Sequence, residues 1–371
     1  MKVLLCTPFE KSPKANWGGI SVWANNLLDY ARVREDIDKV RLIPVSYDRY
    51  HRTGSGLNPF LRLWYGFVDI NKSIKKTKKV LKEADIDVLH VCSSASFSLL
   101  KDIYLLFLAK KHRLKYIVHF HFGLIPELEK KNNFEWKLLR YVVKRADKVV
   151  VMTMESYKTL KKIGIASVDY LPNPVSEKII RLVSEWSQGS TRIPGRIVYV
   201  GHIVPNKGIK EIIESCLSIS GLDVHLIGEI PSSDYIESLK PLFCNGVSET
   251  CISFLGKSSQ EDVIKELLKA EIFVFPSYYE GFPNAILEAM ACGCPIIASS
   301  VGAIPEMLDI DKSPCGVCVA PQDTQAVKEA IVLLHKDSEY RNNLASKAKR
   351  RVENEYSTAR IWNNLINIWG A

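Results

Sequence analysis

Two glutamates, Glu280 and Glu288, stand on either side of a predicted helix start in SYYEGFPNAILEAMACG (277–293). The apolar run EIFVFP (271–276) reads as a buried strand, so we expect Glu280 at the tip of the following loop and Glu288 about one turn into the helix. Carboxylates accept hydrogen bonds from the paired hydroxyls of sugars and riboses, so both could face one ligand. A Glu280 favoured only by the helix dipole and a Glu288 in solvent would need no ligand.

The residues between the two glutamates shape the helix start and offer backbone donors. Pro283 and Asn284 suit the first positions of a helix. The N–H groups of Gly281, Phe282 and Asn284 could hold an anion between them, whereas Pro283 has no N–H to give. The stretch therefore offers both hydroxyl acceptors and anion donors.

A basic loop follows the first predicted strand of the second half, in YVGHIVPNKGIKEII (199–213). The strand ends at Gly201, the loop carries His202 and Lys207, and Gly208 leads into a helix. A lysine at the carboxyl end of a strand, beside a helix N-terminus, is well placed to meet a phosphate. The alternative is a solvated loop lysine.

Two histidines lie two positions apart in YIVHFHFG (116–123), a predicted strand, and so share one face of it. His121 is nearer the carboxyl end, where open α/β sheets bind ligands. Core histidines with a structural role are common, so either His119 or His121 could be structural. A metal site is less favoured, because no nearby carboxylate completes a ligand set.

The loop after the first strand contains Gly18 and Gly19 just before a predicted helix. It lacks the G-x-G-x-x-G spacing of a dinucleotide fingerprint. Paired glycines at a helix N-terminus expose backbone N–H groups to an anion or a sugar, but they could equally serve only to turn a tight loop.

Short strands alternate with helical patterns in both halves of the 371-residue chain. The strand patterns cover 3–8, 41–47, 87–93, 116–122 and 148–153, and then 196–201, 223–229, 251–256, 271–276, 295–300 and 316–320. This rhythm predicts two doubly wound, Rossmann-like α/β domains with a cleft between them. We expect domains at 1–180 and 196–355, joined by the polar segment 184–195, and a last helix at 356–371.

The net charge of +9 is unevenly distributed. Residues 1–178 contain 32 Lys and Arg against 18 Asp and Glu, or +14; subtraction from 50 and 41 leaves 18 against 23, or −5, for the remainder. Opposite signs predict different partners for the two halves, and a basic first half suits an anionic membrane surface. The basic helix at 71–82 could also touch nucleic acid. However, no motif of a DNA- or RNA-binding domain accompanies it, so no nucleic-acid partner is expected.

Nine cysteines lie largely in apolar, strand-like runs, as at Cys6, Cys92 and Cys251, which favours reduced, buried thiols in a cytoplasm. The pairs CGC (292–294) and CGVC (315–318) lack a second Cys or His pair at zinc-finger spacing. The N-terminus reads as a strand and not as a signal peptide, and the longest apolar run, 103–109, is too short to span a bilayer.

Taken together, these motifs resemble family 4 retaining glycosyltransferases of the GT-B fold. The resemblance rests on the E-x7-E spacing of 280–288, the YVGxxxPNKG turn, LPNPV (171–175), the histidine that closes the fourth strand and the Gly-Gly loop. It extends over nearly the whole chain, and the E-x7-E block is its most specific part.

The resemblance implies a nucleotide-diphosphate sugar held mainly by the second domain. Glu280 would contact sugar hydroxyls, Glu288 the ribose and Lys207 the diphosphate, while His121 would reach the transferred sugar. Backbone groups of 281–284 would hold sugar and phosphate oxygens. The remaining implied contacts are backbone ones: Gly18 and Gly19 at the diphosphate and acceptor, and Gly228 and Gly256 near the nucleobase. The helix 356–369 would cross back to the first domain.

One residue departs from the family pattern. Members usually carry an arginine where this chain has His202. Arginine is always charged and binds a diphosphate through two parallel hydrogen bonds, and histidine does neither. His202 is then a weaker, pH-sensitive donor, or another basic residue takes its place.

We therefore expect a cytoplasmic glycosyltransferase, peripheral to the inner membrane face, that retains anomeric configuration and needs no metal or other cofactor. Its donor would be a UDP-sugar or a GDP-sugar, with the UDP-sugar favoured, and its acceptor a saccharide or lipid-linked saccharide. The product would be a surface polysaccharide such as O-antigen or capsule, or a glycolipid. A nucleotide-sugar epimerase or phosphorylase of the same fold is the alternative. The oligomeric state stays open.

Overall fold

The computed structural model describes residues 1–8, 19–47, 59–96, 98–244, 249–310 and 312–370. The chain divides into two compact units: unit 1 comprises Met1–Asn173 and Thr358–Ala371, and unit 2 comprises Pro174–Ser357. Each unit contains a six-stranded sheet flanked by helices, which confirms the predicted doubly wound α/β fold.

Strands and helices alternate along unit 1. In chain order they are β1 (Lys2–Thr7), α1 (Gly19–Asp38), β2 (Arg41–Ser46), α2 (Pro59–Glu83), β3 (Val88–Ser93), α3 (Ser98–Lys111), β4 (Lys115–Phe120), α4 (Ile125–Lys131), α5 (Phe134–Val143), β5 (Lys148–Val151), α6 (Met154–Lys162) and β6 (Val168–Tyr170). The sheet order is β2-β1-β3-β4-β5-β6, with parallel pairing throughout.

Unit 2 repeats this rhythm. Its elements are α7 (Glu177–Trp186), β7 (Arg196–Val200), a 3₁₀ turn (Pro205–Lys207), α8 (Ile209–Leu217), β8 (Asp223–Ile227), α9 (Ser233–Cys244), β9 (Cys251–Gly256), α10 (Gln260–Lys269), β10 (Ile272–Phe275), α11 (Asn284–Ala291), β11 (Ile296–Ser299), α12 (Ile304–Leu308), β12 (Asp309–Ile310), β13 (Ser313–Pro314), β14 (Val317–Val319), α13 (Thr324–Lys336) and α14 (Ser338–Glu355). The main sheet is parallel, in the order β14-β11-β10-β7-β8-β9.

Alternate residues of the first sheet enter two separate cores. In β1, Leu4 and Cys6 join one cluster of buried side chains, and Val3 and Leu5 join the other. Because successive strand side chains point to opposite faces, a parallel sheet covered by helices on both sides needs apolar residues at nearly every position. That is why its strands read as continuous apolar runs and not as alternating ones.

The last helix, α15 (Thr358–Trp369), belongs to unit 1, as predicted for this fold. Its Trp362 is fully buried, and the indole N–H donates to Asp38 Oδ2 at 2.7 Å. Lys115 Nζ, from β4, donates to the Ile368 and Trp369 carbonyls, both at 2.9 Å. A cation at the C-terminus of a helix satisfies carbonyls that have no partner within the helix.

The structure differs locally from the sequence expectations. The division between units falls at 173–174, ahead of α7, because α7 packs on α10 and α11 in unit 2. Strand β6 was not predicted, because it has only three residues and its sequence shows no clear apolar run. Strand β4 ends at Phe120, so His121 is the first residue beyond it, although its N–H still bonds to the Ser93 carbonyl at 2.8 Å.

Eight of the nine cysteines have side chains that the structure describes, and these eight are free thiols. Cys251 was expected to be buried but is exposed, because β9 is an edge strand of its sheet. None of the helices in the described ranges combines the length and apolarity needed to cross a membrane.

Candidate active site

Lys207 and Glu280 meet at the carboxyl edge of the second sheet. Lys207 ends the turn after β7, and Glu280 lies in the loop after β10. These strands are neighbours, and the chain order along the sheet reverses between them, which is where open α/β sheets bind ligands. Lys207 Nζ lies 2.5 Å from Glu280 Oε1, with the side chains 21% and 11% exposed. The alternative of a solvated loop lysine is therefore wrong.

Further hydrogen bonds join the two loops that carry this pair. The Tyr278 N–H donates to the Asn206 carbonyl at 2.9 Å. The Tyr199 hydroxyl, on β7, donates to the His202 carbonyl at 3.0 Å and so holds the loop that carries Lys207. The segments 201–208 and 276–283 thus form one hydrogen-bonded unit, so Lys207 and Glu280 are held before any ligand arrives.

A third segment supports the Glu280 loop and was missed by sequence reasoning. The Ala303 N–H donates to the Gly281 carbonyl at 2.9 Å. Gly302 has φ +57°, and a Cβ there would lie 2.1 Å from the Glu280 carbonyl oxygen. Only glycine fits this approach. The signal was present as a glycine between the strand pattern 295–300 and the next helix.

Glu288 lies in α11, which begins at Asn284 as predicted. Its side chain is half-buried, so the alternative of a solvated Glu288 is wrong. Burial raises the pKa of its carboxyl to about 7, and a hydrogen bond with the Gln260 side chain offsets part of that rise. Gln260 begins α10 and was also missed, since a glutamine at a helix start has no distinctive spacing.

The other residues around α11 offer a ligand mainly backbone groups. Pro283 is the N-cap residue and gives no side-chain capping bond. The Phe282 side chain is buried, with its ring 5.5 Å from that of Tyr356. Gly281 and Asn284 are half-buried. The side chain of Phe282 is therefore structural, and only its backbone could serve a ligand.

Gly228 and Gly256 lie at adjacent strand ends. The Gly228 N–H donates to the Gly256 carbonyl at 2.9 Å, and the Gly201 N–H donates to the Ile227 carbonyl at 2.9 Å. A Cβ on Gly228 would lie 1.8 Å from the Gly201 carbonyl oxygen. Close backbone approach thus explains this glycine without a ligand.

His202 is turned toward a different carboxylate. Its side chain is 62% exposed, and Nε2 lies 3.7 Å from Glu229 Oε2, in the loop after β8. The structure therefore joins Lys207, and not His202, to Glu280.

His121 belongs to a buried aromatic cluster of unit 1. Its ring centroid is 3.9 Å from that of His119 and 4.6 Å from that of Trp23, on α1. Burial lowers the pKa of His121 to about 3, with a smaller effect of His90, and it holds the pKa of His119 well below its usual value. The imidazole of His121 is therefore neutral at physiological pH. Gly19 begins α1, whereas Gly18 lies outside the described residues.

His90 completes the cluster and was missed from the sequence, where it is a lone histidine in a strand. The Trp369 indole N–H donates to His90 Nδ1 at 2.9 Å. The ligating atoms of His90, Cys92 and His119 lie within 4.8 Å of one another, which suggests a metal site. However, a neutral His90 that accepts at Nδ1 carries its proton on Nε2, whereas a metal-binding histidine donates from its other nitrogen. As observed, His90 does not fit a ligand.

Two family models match the chain, one for each half. "Glycosyltransferase Family 4" matches residues 18–178 and "Glycosyl transferases group 1" matches residues 185–351. The motifs of the candidate site lie within these ranges. The chain belongs to the GT4-like glycosyltransferases of the GT-B fold.

Individual glycosyltransferases show the same likeness. A capsular polysaccharide biosynthesis glycosyltransferase of Staphylococcus aureus is 32% identical over 178 residues, 47% of this chain and 45% of that protein. A Campylobacter jejuni N,N'-diacetylbacillosaminyl-diphospho-undecaprenol α-1,3-N-acetylgalactosaminyltransferase is 29% identical over 193 residues, 51% of this chain and 48% of that protein. The matches thus span about half the length of these relatives.

A solved glycosyltransferase structure extends the likeness to the whole fold. HepE of Anabaena, in complex with UDP, superposes with a TM-score of 0.70 over 99% of both chains, at 17% identity. At that identity the likeness shows the fold alone.

Proposed function

We propose that this glycosyltransferase moves a sugar from a nucleotide-diphosphate donor to a saccharide or lipid-linked acceptor. The observation that carries the proposal is the contact of Lys207 with Glu280 at the reversal point of the second sheet. A diphosphate needs a fixed cation, a sugar needs a hydroxyl acceptor, and the two groups are adjacent in one substrate.

The proposed roles follow from this placement. Lys207 binds the diphosphate, Glu280 the hydroxyls of the transferred sugar, and Glu288 the ribose. Backbone groups of 281–284 bind sugar and phosphate oxygens, and the base rests near Gly228 and Gly256. The exposed His202 supplies a weaker contact to the donor.

Unit 1 is proposed to contact the transferred sugar and the acceptor. His121, which is neutral, donates or accepts a hydrogen bond to the sugar and does not act as a general acid. Gly19 begins α1, and Gly18 precedes it in the sequence. Backbone N–H groups at a helix start suit an anion.

We favour UDP over GDP as the donor nucleotide, and a surface polysaccharide or glycolipid as the product. HepE was solved with UDP, the S. aureus relative is named for capsular polysaccharide, and the C. jejuni relative for a diphospho-undecaprenol acceptor. A panel of UDP-, GDP- and ADP-sugars, tested by calorimetry, decides the donor. Binding of none would contradict the proposal.

We also propose transfer with retention and without a metal. Lys207 and the N-terminus of α8 bring positive charge to the leaving diphosphate, which a metal would otherwise supply. No Asp-x-Asp pair stands beside these loops in the sequence. Product stereochemistry by proton NMR and activity in excess EDTA test the two claims separately, and an inverted product would contradict the first.

A membrane-facing surface on unit 1 fits a lipid-linked acceptor. On α2, Trp64 and Phe67 are 63% and 60% exposed, and on α3 Phe107 is 61% exposed. The two helices pack together, and Lys78 Nζ lies 5.0 Å from the Tyr104 ring centroid across them. We name these exposed aromatic side chains the α2–α3 surface.

The same helices carry exposed lysines, among them Lys72, Lys75, Lys79, Lys82, Lys110 and Lys111. Aromatic and basic side chains together suit an anionic bilayer interface, so we place the protein at the cytoplasmic membrane face.

A further inference from the structure

Tyr278 ties the loop of Glu280 to the segment that carries Lys207. It precedes Glu280 by two residues. Its N–H donates to the Asn206 carbonyl at 2.9 Å, and its hydroxyl donates to Glu211 Oε1. Asn206 lies in the 3₁₀ turn that ends at Lys207, and Glu211 in the first turn of α8. One residue thus contacts the lysine segment on both sides of Lys207, through its backbone N–H at Asn206 and through its hydroxyl at Glu211.

Glu211 is unusual for its position. Its residue surface is only 6% exposed, and within the described ranges its Oε2 atom has no hydrogen-bond partner. Burying a carboxylate with one oxygen unpaired is unfavourable, and the N-terminus of α8 compensates for only part of that cost. A leucine of similar volume would fill the place without it. The carboxylate therefore needs a reason beyond fold stability.

The hydrogen bond between the two residues is well defined chemically. Burial raises the pKa of the Tyr278 hydroxyl, and the hydrogen bond to Glu211 raises it further, so the hydroxyl stays protonated and acts as the donor. A hydroxyl that donates to a carboxylate forms a short, charge-assisted bond with a narrow range of geometry. Such a bond fixes a loop more tightly than packing of an apolar ring would.

We propose that Tyr278 and Glu211 are positioning residues for the donor site. They fix the Glu280 loop against the Lys207 segment, so that cation and carboxylate keep one separation when a donor binds. Neither residue touches the donor itself. The inference rests on the proposed function and deepens it, because it explains what keeps Lys207 and Glu280 at a fixed separation. Displacement by about 1 Å in such a site costs up to about 100-fold in rate.

The neighbouring tyrosine provides a matched control. Tyr279 is 64% exposed and differs from Tyr278 by one position in the same loop. Tyr278→Phe removes the hydroxyl that reaches Glu211, while Tyr279→Phe removes one that faces solvent. We expect Tyr278→Phe to weaken the binding of UDP and GDP, measured by calorimetry, by about 10-fold, and Tyr279→Phe to leave it unchanged.

Two further variants separate positioning from stability. Glu211→Gln keeps an acceptor for the hydroxyl and should retain most of the affinity. Glu211→Leu in the Tyr278→Phe background removes the buried unpaired carboxylate, so the Tm should recover. Positioning predicts that the affinity does not recover with it. Recovery of both, or wild-type affinity in Tyr278→Phe, would overturn the proposal.

Hydrogen exchange gives a readout that needs no donor. In the free protein, Tyr278→Phe should speed amide exchange in 205–208 and 276–283, and Tyr279→Phe should not. Equal exchange in both variants would also overturn the proposal. If the wild-type protein binds none of the UDP, GDP and ADP nucleotides or their sugars, the proposed function fails, and the exchange result still decides whether Tyr278 holds the two segments together.

Discussion

Lys207 and Glu280 form an ion pair at 2.5 Å although 73 residues separate them in the chain. In the free protein each group neutralises the other, so neither is left as a lone, mostly buried charge. In the proposed function, a phosphate of the donor meets the cation and the sugar hydroxyls meet the carboxylate while the two stay close. The pair would then suit a substrate that carries both groups side by side.

Replacing Lys207 should weaken nucleotide binding. Lys207→Met removes the cation from the proposed diphosphate site, and we expect a loss of about 1.5–3 kcal/mol, or roughly 10- to 150-fold, for UDP or GDP. It also leaves Glu280 without its partner, so the Tm should fall. In the double variant Lys207→Met with Glu280→Gln, the Tm should recover and the affinity should not. Full affinity in the single variant would move the diphosphate elsewhere.

The two glutamates should differ in their kinetic effects. Glu280→Gln should lower kcat strongly, because only Glu280 is proposed to lie beside the sugar, where charge develops in the transition state. Glu288→Gln should mainly raise the KM for the donor, since the ribose does not react. Steady-state kinetics with the donor identified by the panel provide the test. Equal, mild effects in both variants would contradict the assignment.

Donor affinity should depend on pH through Glu288. The ionised carboxylate is the better acceptor for ribose hydroxyls, and the pKa of about 7 leaves it partly protonated in the free protein. Affinity for UDP should therefore rise as the pH increases from about 6 to 8 and then level off. Because a terminal phosphate also titrates near pH 6, the comparison with Glu288→Gln at each pH isolates the carboxyl.

The same shift affects stability with a defined sign. The pKa of Glu288 is raised above the unfolded value of about 4.3. The contribution of this carboxyl to the free energy of unfolding is therefore fully present below about pH 4.3 and is lost as the pH rises through about 7. The free energy of unfolding of wild type should therefore fall relative to that of Glu288→Gln over this interval. Parallel stability curves for the two proteins would show that the carboxyl is not perturbed by burial.

His121 should remain neutral from about pH 5 to 8, because its pKa is lowered to about 3. Nitrogen-15 NMR of histidine-labelled protein should show His90, His119 and His121 without titration in this range. A His121 signal that titrates near pH 6.5 would restore an acid or base role to this residue.

Membrane binding should use both charge and aromatic side chains. Co-sedimentation should require anionic vesicles and weaken at high salt, since each basic residue near the surface contributes about 1 kcal/mol that salt screens. Trp64→Ala and Phe67→Ala should reduce binding further, because these side chains are exposed on the α2–α3 surface. Tyr340→Ala, on α14 of unit 2, is the control. Equal binding to neutral vesicles would indicate insertion without charge.

The fold was predictable because its signals are local. Each strand of a doubly covered parallel sheet appears as an apolar run, and each helix start carries its own residues, as Pro283 and Asn284 do for α11. Lys207, Glu280 and Glu288 could be named for the same reason, since each stands at a fixed distance from an element boundary.

Contacts between distant segments could not be predicted in this way. The sequence gives no sign that the Tyr278 hydroxyl reaches Glu211, that Gln260 reaches Glu288, or that His90 accepts from Trp369. Each of these depends on which strands become neighbours, and strand order is set by the packing of the whole sheet. The short strand β6 was missed because three residues show no period.

The position of α15 also sets an order for folding during synthesis. Unit 2 is continuous in the chain, from Pro174 to Ser357, so all of it is present once Ser357 has left the ribosome. Unit 1 begins earlier but must wait, because Trp362 and Trp369 close one face of its sheet and are made about 190 residues after β6. Until then this core lacks the side chains that complete it, including the Trp369 indole that donates to His90 of β3. The half of the protein that is translated first is therefore the half that is completed last.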